Sequence, residues 1–237
     1  MTNRQEGAAE SGKGGLGSRH LHFEEHGLVF RELTAEADFR AAYRLRYKIC
    51  VEQLHWVQGV PEEQLEYDDY DKYSYHFGCF RESKLIGYMR MTPEDNSVGT
   101  MSRDHFGHLW QIDPQYPTHE TADLSRLLVD RPYLHKPLLL RRILIGLYRL
   151  AYGRAELSRP RIRYWYFITT GRLLKALRWQ LGLPVKVFGH DQTSDGKTTY
   201  AVGLDLQRGR RRLAILAPWR LIYFARAKRL QRDNERP

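Results

Sequence analysis

SYHFGCFRESKLIGYMRM, residues 74–91, places two apolar and aromatic runs on either side of a short polar turn. The pattern predicts an antiparallel β-hairpin made of SYHFGCF and KLIGYMRM, with Arg90 on its second strand. Upstream, GLVFREL (27–33) reads as a strand and TAEADFRAAYRLRYKICVEQLHW (34–56) as a helix. Thr34 is placed to cap that helix, and Glu36 and Asp38 suit its positive N-terminal end. Its apolar stripe runs Phe39, Tyr43, Cys50, Leu54, and Arg46 falls within it. An inward arginine needs a carboxylate partner, because an unpaired buried charge is very costly. The alternative is a side chain that snorkels to the surface.

Downstream, TADLSRLLVD (121–130) predicts a strand and KPLLLRRILIGLYRLAYGRAE (136–156) a helix whose apolar side is interleaved with Arg141, Arg142 and Arg149. RIRYWYFITT (161–170) is a near-continuous aromatic and β-branched run, as in a buried central strand. GRLLKALRWQLGL (171–183) reads as a helix ending at Gly182. VKVFG and TTYAVGLDL then close the sheet around the turn DQTSDGK. This order predicts an α/β (α+β) fold of three layers, with a central mixed, mostly antiparallel sheet flanked by helices. It is compatible with the acyl-CoA N-acyltransferase-like fold of the acetyltransferases.

The 237 residues, 42% of them hydrophobic, suffice for one full core. Residues 1–25 are expected to be a disordered leader, 26–206 the folded domain and 207–237 a basic amphipathic extension. The leader's first 20 residues are polar and rich in Gly and Ser, with neither the apolar core of a signal peptide nor the arginines of a transit sequence. The apolar runs are interrupted by arginine or proline and fall short of a membrane span. Cys50 and Cys79 lie in apolar segments, which fits reduced cytosolic thiols and a cytoplasmic location. The net charge of +10 is uneven: from Gln207 onward ten Lys/Arg stand against two acids, a net +8, which leaves +2 for residues 1–206. A near-neutral body with a basic tail does not indicate nucleic-acid binding.

LEYDDYDKY (65–73) is an acidic, aromatic loop whose Asp68 and Asp71 are three apart. Arg46 and Trp56 are ten apart, Arg90 sits in GYMRM, and Asp123, Ser125 and Arg126 share DLSRLLV, with Phe106 in RDHF before them. Together these resemble the autoinducer synthases (acyl-homoserine-lactone synthases) and their relatives, the N-acyl amino acid synthases, over residues 30–206. The sequence departs from that pattern at Asp123, where the family usually has glutamate, and at Cys50, where it has an aromatic. The resemblance implies that a fatty acyl group passes from a pantetheine thioester, on acyl carrier protein or coenzyme A, to a small amine acceptor. That acceptor is a free amino acid or S-adenosylmethionine as co-substrate, and no bound cofactor is implied. It further implies catalytic roles for Asp123, Arg126, Asp68, Asp71 and Arg90, and substrate contacts for Arg46, Trp56, Phe106 and Ser125.

The chemistry needs a base for the acceptor's ammonium, for which Asp123, acting directly or through water, is the candidate. It also needs donors for the oxyanion, which backbone N–H groups at a splayed strand or bulge supply. The aspartates are expected to be held ionised by the arginines, in a network that is either structural or substrate-binding. Asp69 is expected to stay in solvent. Ser125 lacks a nucleophile elbow, His105 and His108 lack a ligand set, and no metal is expected. The aromatic strand is core, with an inward face suited to line an acyl tunnel. The segment after DLSRLLVD lacks a glycine-rich pyrophosphate loop, which favours a carrier-protein donor. PWRLIYFARAKRLQR (218–232) is read as a helix on an anionic inner-membrane surface, a dock for acyl carrier protein, or a packed terminal helix. The expected function is N-acyl amino acid or acyl-homoserine lactone synthesis, as in quorum sensing. The alternatives are an exosortase-associated (PEP-CTERM) acyltransferase or a catalytically weak, membrane-peripheral module that binds acyl carrier protein.

Overall fold

The computed structural model describes residues 20–180, 182–192, 196, 198–216 and 218. Among the described residues, eight strands form one sheet in the order β1-β2-β3-β4-β5-β6-β8-β7. They are β1 (His22–Glu25), β2 (Leu28–Glu32), β3 (Tyr75–Arg81), β4 (Lys84–Pro93), β5 (Thr121–Val129), β6 (Tyr164–Thr170), β7 (Lys186–Gln192) and β8 (Thr198–Asp205). Neighbours pair antiparallel except β5 and β6, which are parallel. The predicted hairpin is β3–β4, and RIRYWYFITT supplies the interior strand β6.

The hairpin turns through Glu82 and Ser83 alone, both at positive φ (51° and 64°). That backbone matches the right-handed twist of the flanking strands but strains residues other than Gly or Asn. Replacing the pair by Asn-Gly is therefore expected to stabilise the fold by roughly 1 kcal/mol. An unchanged or lowered midpoint in urea unfolding would contradict this.

Helices cover both faces. The helix α1 (Glu36–Arg46) runs on without a break into a π-helical segment, Tyr47–Gln53. Its N-cap is Ala35, not Thr34 as the sequence suggested, and no side chain caps it. Ala42, Leu45, Ile49 and Cys50 pack it on Leu33, Leu85, Tyr88 and Leu128. Leu54 lies beyond the packed turns and is exposed. On the opposite face, α4 (Pro137–Leu157) lays Ile143, Leu147, Leu150 and Ala151 on Phe30, Phe77, Met89 and Trp165. Gly146 lets it approach: a Cβ there would stand 2.1 Å from the Phe30 ring. Of the four arginines in α4, Arg141 and Arg142 are exposed, Arg149 is buried over the Phe23 ring at 4.3 Å, and Arg154 is part-buried.

Two boundaries differ from the sequence reading. Residues 22–25 are strand β1, not leader, with Leu21 and Phe23 in the core; residues 1–19 lie outside the described residues. The pull is both apolar and ionic: Glu25 faces Arg149 at 3.6 Å, and Glu32 of β2, which accepts from Arg154 of α4, also accepts the Leu21 N–H at 3.2 Å. Likewise α6 (Leu206–Leu216) belongs to the body. It buries Leu206 and Leu213 and exposes Arg208, Arg210, Arg211 and Arg212. The rest of the proposed extension, from Trp219 on, lies outside the described residues. Helix α5 (Gly171–Lys175) continues as a π-helical turn, Ala176–Gln180, and Gly182 follows at φ 69° as expected of a left-handed cap.

Two irregularities position the site. Tyr88 pairs with Leu128 but Arg90 pairs with Ser125, so β5 bulges at Arg126 and Leu127, with Arg126 at φ 52°. In addition, β5 and β6 pair only at Thr121–Asp123 with Tyr164–Tyr166, although both continue beyond. Past Asp123 they splay into a wedge.

Candidate active site

Directly paired residues share one face of a sheet. Register therefore lines up His76, Arg90 and Ser125 in one row, and Thr92, Asp123 and Tyr166 in the next. This polar face lies under α1 and the acidic loop.

Arg46 reaches it from α1 with none of its surface exposed. Its Nε donates to Glu66, its Nη1 to Asp71 at 2.6 Å and its Nη2 to Asp68 at 3.4 Å. The inward reading of Arg46, with carboxylate partners, is the one the structure adopts. Arg90, equally buried, donates through Nη1 to Asp71 at 2.8 Å and to Asp68, and through Nε to Ser125 Oγ at 3.0 Å. The bulge turns Arg126 to the same loop, where Nη2 donates to Glu66 at 2.8 Å and Asp68 at 3.3 Å. Three guanidiniums thus face three carboxylates. The loop is closed on itself by the Asp68 N–H donating to Asp71 at 2.8 Å, while Asp69 is exposed.

Burial alone would raise the Asp71 carboxyl, but Arg46 and Arg90 hold it down at about 2. Glu66 is lowered too, with Arg46 and Arg126 outweighing burial. A depressed carboxylate contributes stability that is complete above its ordinary value of 3.8 and is lost as pH falls through about 2. Resistance to urea is therefore expected to drop between about pH 4 and pH 2, with a shallower drop in Asp71→Asn. Equal slopes in the two proteins would refute this. His76 sits between Tyr88 Oη at 2.7 Å and the Asp71 carbonyl at 2.9 Å, and burial lowers its pKa, so the ring is neutral.

Asp123 is fully buried. Its Oδ2 accepts the Ser102 N–H at 3.1 Å and its Oδ1 the Ser102 hydroxyl at 2.5 Å. It thereby caps the short helix α2 (Met101–Asp104) from another element. Burial pushes it up to about 6, against the pull of Ser102, Arg90 and Arg126. Beside it, Tyr166 Oη and Thr100 Oγ1 are 2.6 Å apart.

The structure thus brings together Arg46, Asp68, Asp71, Arg90, Asp123, Ser125 and Arg126. It does not bring in Trp56, whose indole is 67% exposed beyond the end of the π-helical segment, and Phe106 lies half-buried in the loop after α2. Cys50 and Cys79 are buried and unpaired, their thiols pushed up to about 11 and about 12, which makes poor nucleophiles. Glu66, the partner shared by Arg46 and Arg126, and Ser102, the partner of Asp123, were not singled out from the sequence. Glu66 stands inside LEYDDYDKY, so only its orientation was hidden; Ser102 carries no local signal.

Residues 45–144 match the family model of the acetyltransferase (GNAT) domain. BjaI, a CoA-dependent acyl-homoserine lactone synthase solved with MTA, superposes with a TM-score of 0.62 at 20% identity, covering 90% of each chain. This is a GNAT fold. TofI, in a ternary complex with an inhibitor and MTA, shares the GNAT fold with a TM-score of 0.61 at 19% identity, over 79% of this chain and 94% of its own. FeeM, an N-acyl amino acid synthase from uncultured soil microbes, gives 0.57 at 15% identity, over 81% and 97%. No curated protein sequence matches the chain significantly. Within the described part of this GNAT fold, no helix is long and apolar enough to cross a membrane, and no cluster of His, Cys, Asp and Glu is suited to a metal ion.

Proposed function

We propose that the protein is an N-acyltransferase that moves an acyl group from a pantetheine thioester to the amine of an amino-acid-derived acceptor. The observation that carries this reading is the wedge between β5 and β6, which opens beside Asp123 and Ser125. Beyond Asp123 the facing backbones are free of each other, so an amide-bearing pantetheine arm can add to the sheet edge as a strand does. A thioester carried on that arm meets N–H donors of the bulged strand, which suit a developing oxyanion. On the α4 side of the sheet, an apolar pocket lined by Tyr148, Trp165, Phe167, Leu177, Val185 and Leu213 suits the acyl chain.

In the reaction, the acceptor's ammonium gives up a proton and its nitrogen attacks the thioester carbonyl. The C–N bond forms, the C–S bond breaks, and the thiol leaves with a proton. Asp123, through the Ser102 hydroxyl or a water, is the proposed proton acceptor. The arginine–carboxylate network holds the acidic loop over the acceptor, and such fixed geometry lowers the barrier. Acyl carrier protein is proposed as the donor's carrier ahead of coenzyme A. The segment DRPYLHKP (130–137) has no glycine, and α4 opens with Pro137, which has no N–H to offer a pyrophosphate.

The test gives purified protein acyl-carrier-protein and acyl-coenzyme A donors with S-adenosylmethionine or free amino acids, and follows products by mass spectrometry. An acyl-homoserine lactone or an N-acyl amino acid is expected. Absence of product with every pair would overturn the enzyme reading and leave a binding module.

A further inference from the structure

Helix α6 has two unlike sides. Inward, Leu206, Gly209 and Leu213, at helical spacing, are buried and line the apolar pocket that α4 also borders. Asp205 accepts the Arg208 N–H at 2.9 Å and caps the helix. Outward, Arg208, Arg211, Arg212 and Ile215 share the opposite side and are exposed. The loop after the π-helical turn Ala176–Gln180 packs on the same helix: a Cβ on Gly209 would stand 3.7 Å from Pro184 and 3.9 Å from Leu183. Two large apolar side chains stand out at this end of the molecule, Ile215 at 81% exposed and Trp179, on the π-helical turn, at 84%.

Charge narrows what covers them. Residues 171–186 and 206–216 hold four Lys/Arg each and no Asp or Glu, whereas residues 1–206 as a whole carry only +2. An indole and a branched aliphatic side chain gain free energy on leaving water, and here both stand among cations. The partner that fits is a polyanion whose surface also admits apolar groups. The headgroup layer of an anionic bilayer does both: its phosphates meet arginines, and its interface takes an indole and an aliphatic chain. A nucleic acid offers phosphates but no place for isoleucine. The sequence after α6, PWRLIYFARAKRLQR (218–232), carries the same mix of Trp, Leu, Ile, Tyr and Phe with arginine and lysine. We propose that the outer side of α6, with Trp179, docks on an anionic bilayer. Trp179 and Ile215 enter the interface, and Arg208, Arg211 and Arg212 meet lipid phosphates. The same helix walls the apolar pocket, so docking sets that pocket beside the bilayer.

Docking stands whether or not the protein transfers acyl groups, and binding alone tests it. Full-length protein is floated with vesicles of phosphatidylcholine, either pure or mixed in equal parts with phosphatidylglycerol. Binding is expected to the mixed vesicles and not to the neutral ones, and it should weaken as salt is raised. Arg208→Gln, Arg211→Gln and Arg212→Gln together should weaken it about 100-fold, at about five-fold for each charge near the surface. Trp179→Ala should weaken it about 10-fold through lost apolar burial. All four side chains are exposed, so both variants should keep the wild-type midpoint in urea; if one does not fold, the other decides. No vesicle binding, equal binding to neutral and anionic vesicles, or a folded variant with wild-type affinity would overturn the proposal. Binding of a DNA duplex or of acyl carrier protein that falls with the same substitutions, without vesicle binding, would assign the surface to that partner and overturn it as well.

Discussion

Arg46→Met is expected to destabilise the fold by about 3–5 kcal/mol. The substitution keeps a long unbranched side chain in place beside Tyr43 and Tyr88, so the charge is what is chiefly lost. Glu66 and Asp71, which are 2% and 8% exposed, would then be buried anions left with Arg126 and Arg90 alone. Urea unfolding should show a lower midpoint with an unchanged slope, the signature of lost stability without a new denatured state. Adding Glu66→Gln to Arg46→Met should recover part of the loss, because the carboxylate that Arg46 held would no longer be buried as an ion. If Arg46→Met costs under about 1 kcal/mol, the cluster behaves as a solvated surface network and the interior reading fails.

Asp123→Asn separates catalysis from folding. If Asp123 takes the acceptor's proton, acyl transfer should fall about 10²- to 10⁴-fold. Folding should not suffer, since the amide keeps an oxygen for the Ser102 N–H. The sign follows from the raised carboxyl, at about 6 against an ordinary 3.8. Its contribution to stability is complete below pH 3.8 and is lost as pH rises through about 6. Above pH 6 the ionised wild type carries a penalty on the order of 2–3 kcal/mol that the asparagine variant does not. The variant should therefore gain in relative stability between pH 4 and pH 7. Over the same range the wild-type kcat/KM should rise, because only the ionised carboxyl accepts a proton. An Asp123→Asn enzyme with near-normal turnover would leave Asp123 as the anchor of α2 and no more.

Much of the layout follows from local pattern. The hairpin 74–91, β5, α4 and β6 were legible because each is long, strongly apolar and bounded by turn residues or proline. The need of Arg46 for acidic partners was legible because its position in the stripe put a charge where water is absent. What was missed depends on register between distant segments. β1 is short and polar by composition, and it is held by Arg149, more than a hundred residues away. Trp56 was grouped with the site by its spacing from Arg46, but the helix ends in a π-helical segment and the indole points outward.

The same division holds at LEYDDYDKY. By itself the sequence determined that an acidic loop, a helix arginine and two strand arginines would have to find each other, because like charges repel and buried ones need partners. Only the tertiary structure decided that Glu66 completes the set and that Ser102 takes both oxygens of Asp123. Those outcomes rest on a bulge at Arg126 and on the parting of β5 from β6. Both are properties of strand pairing, which no single segment carries in its own residues.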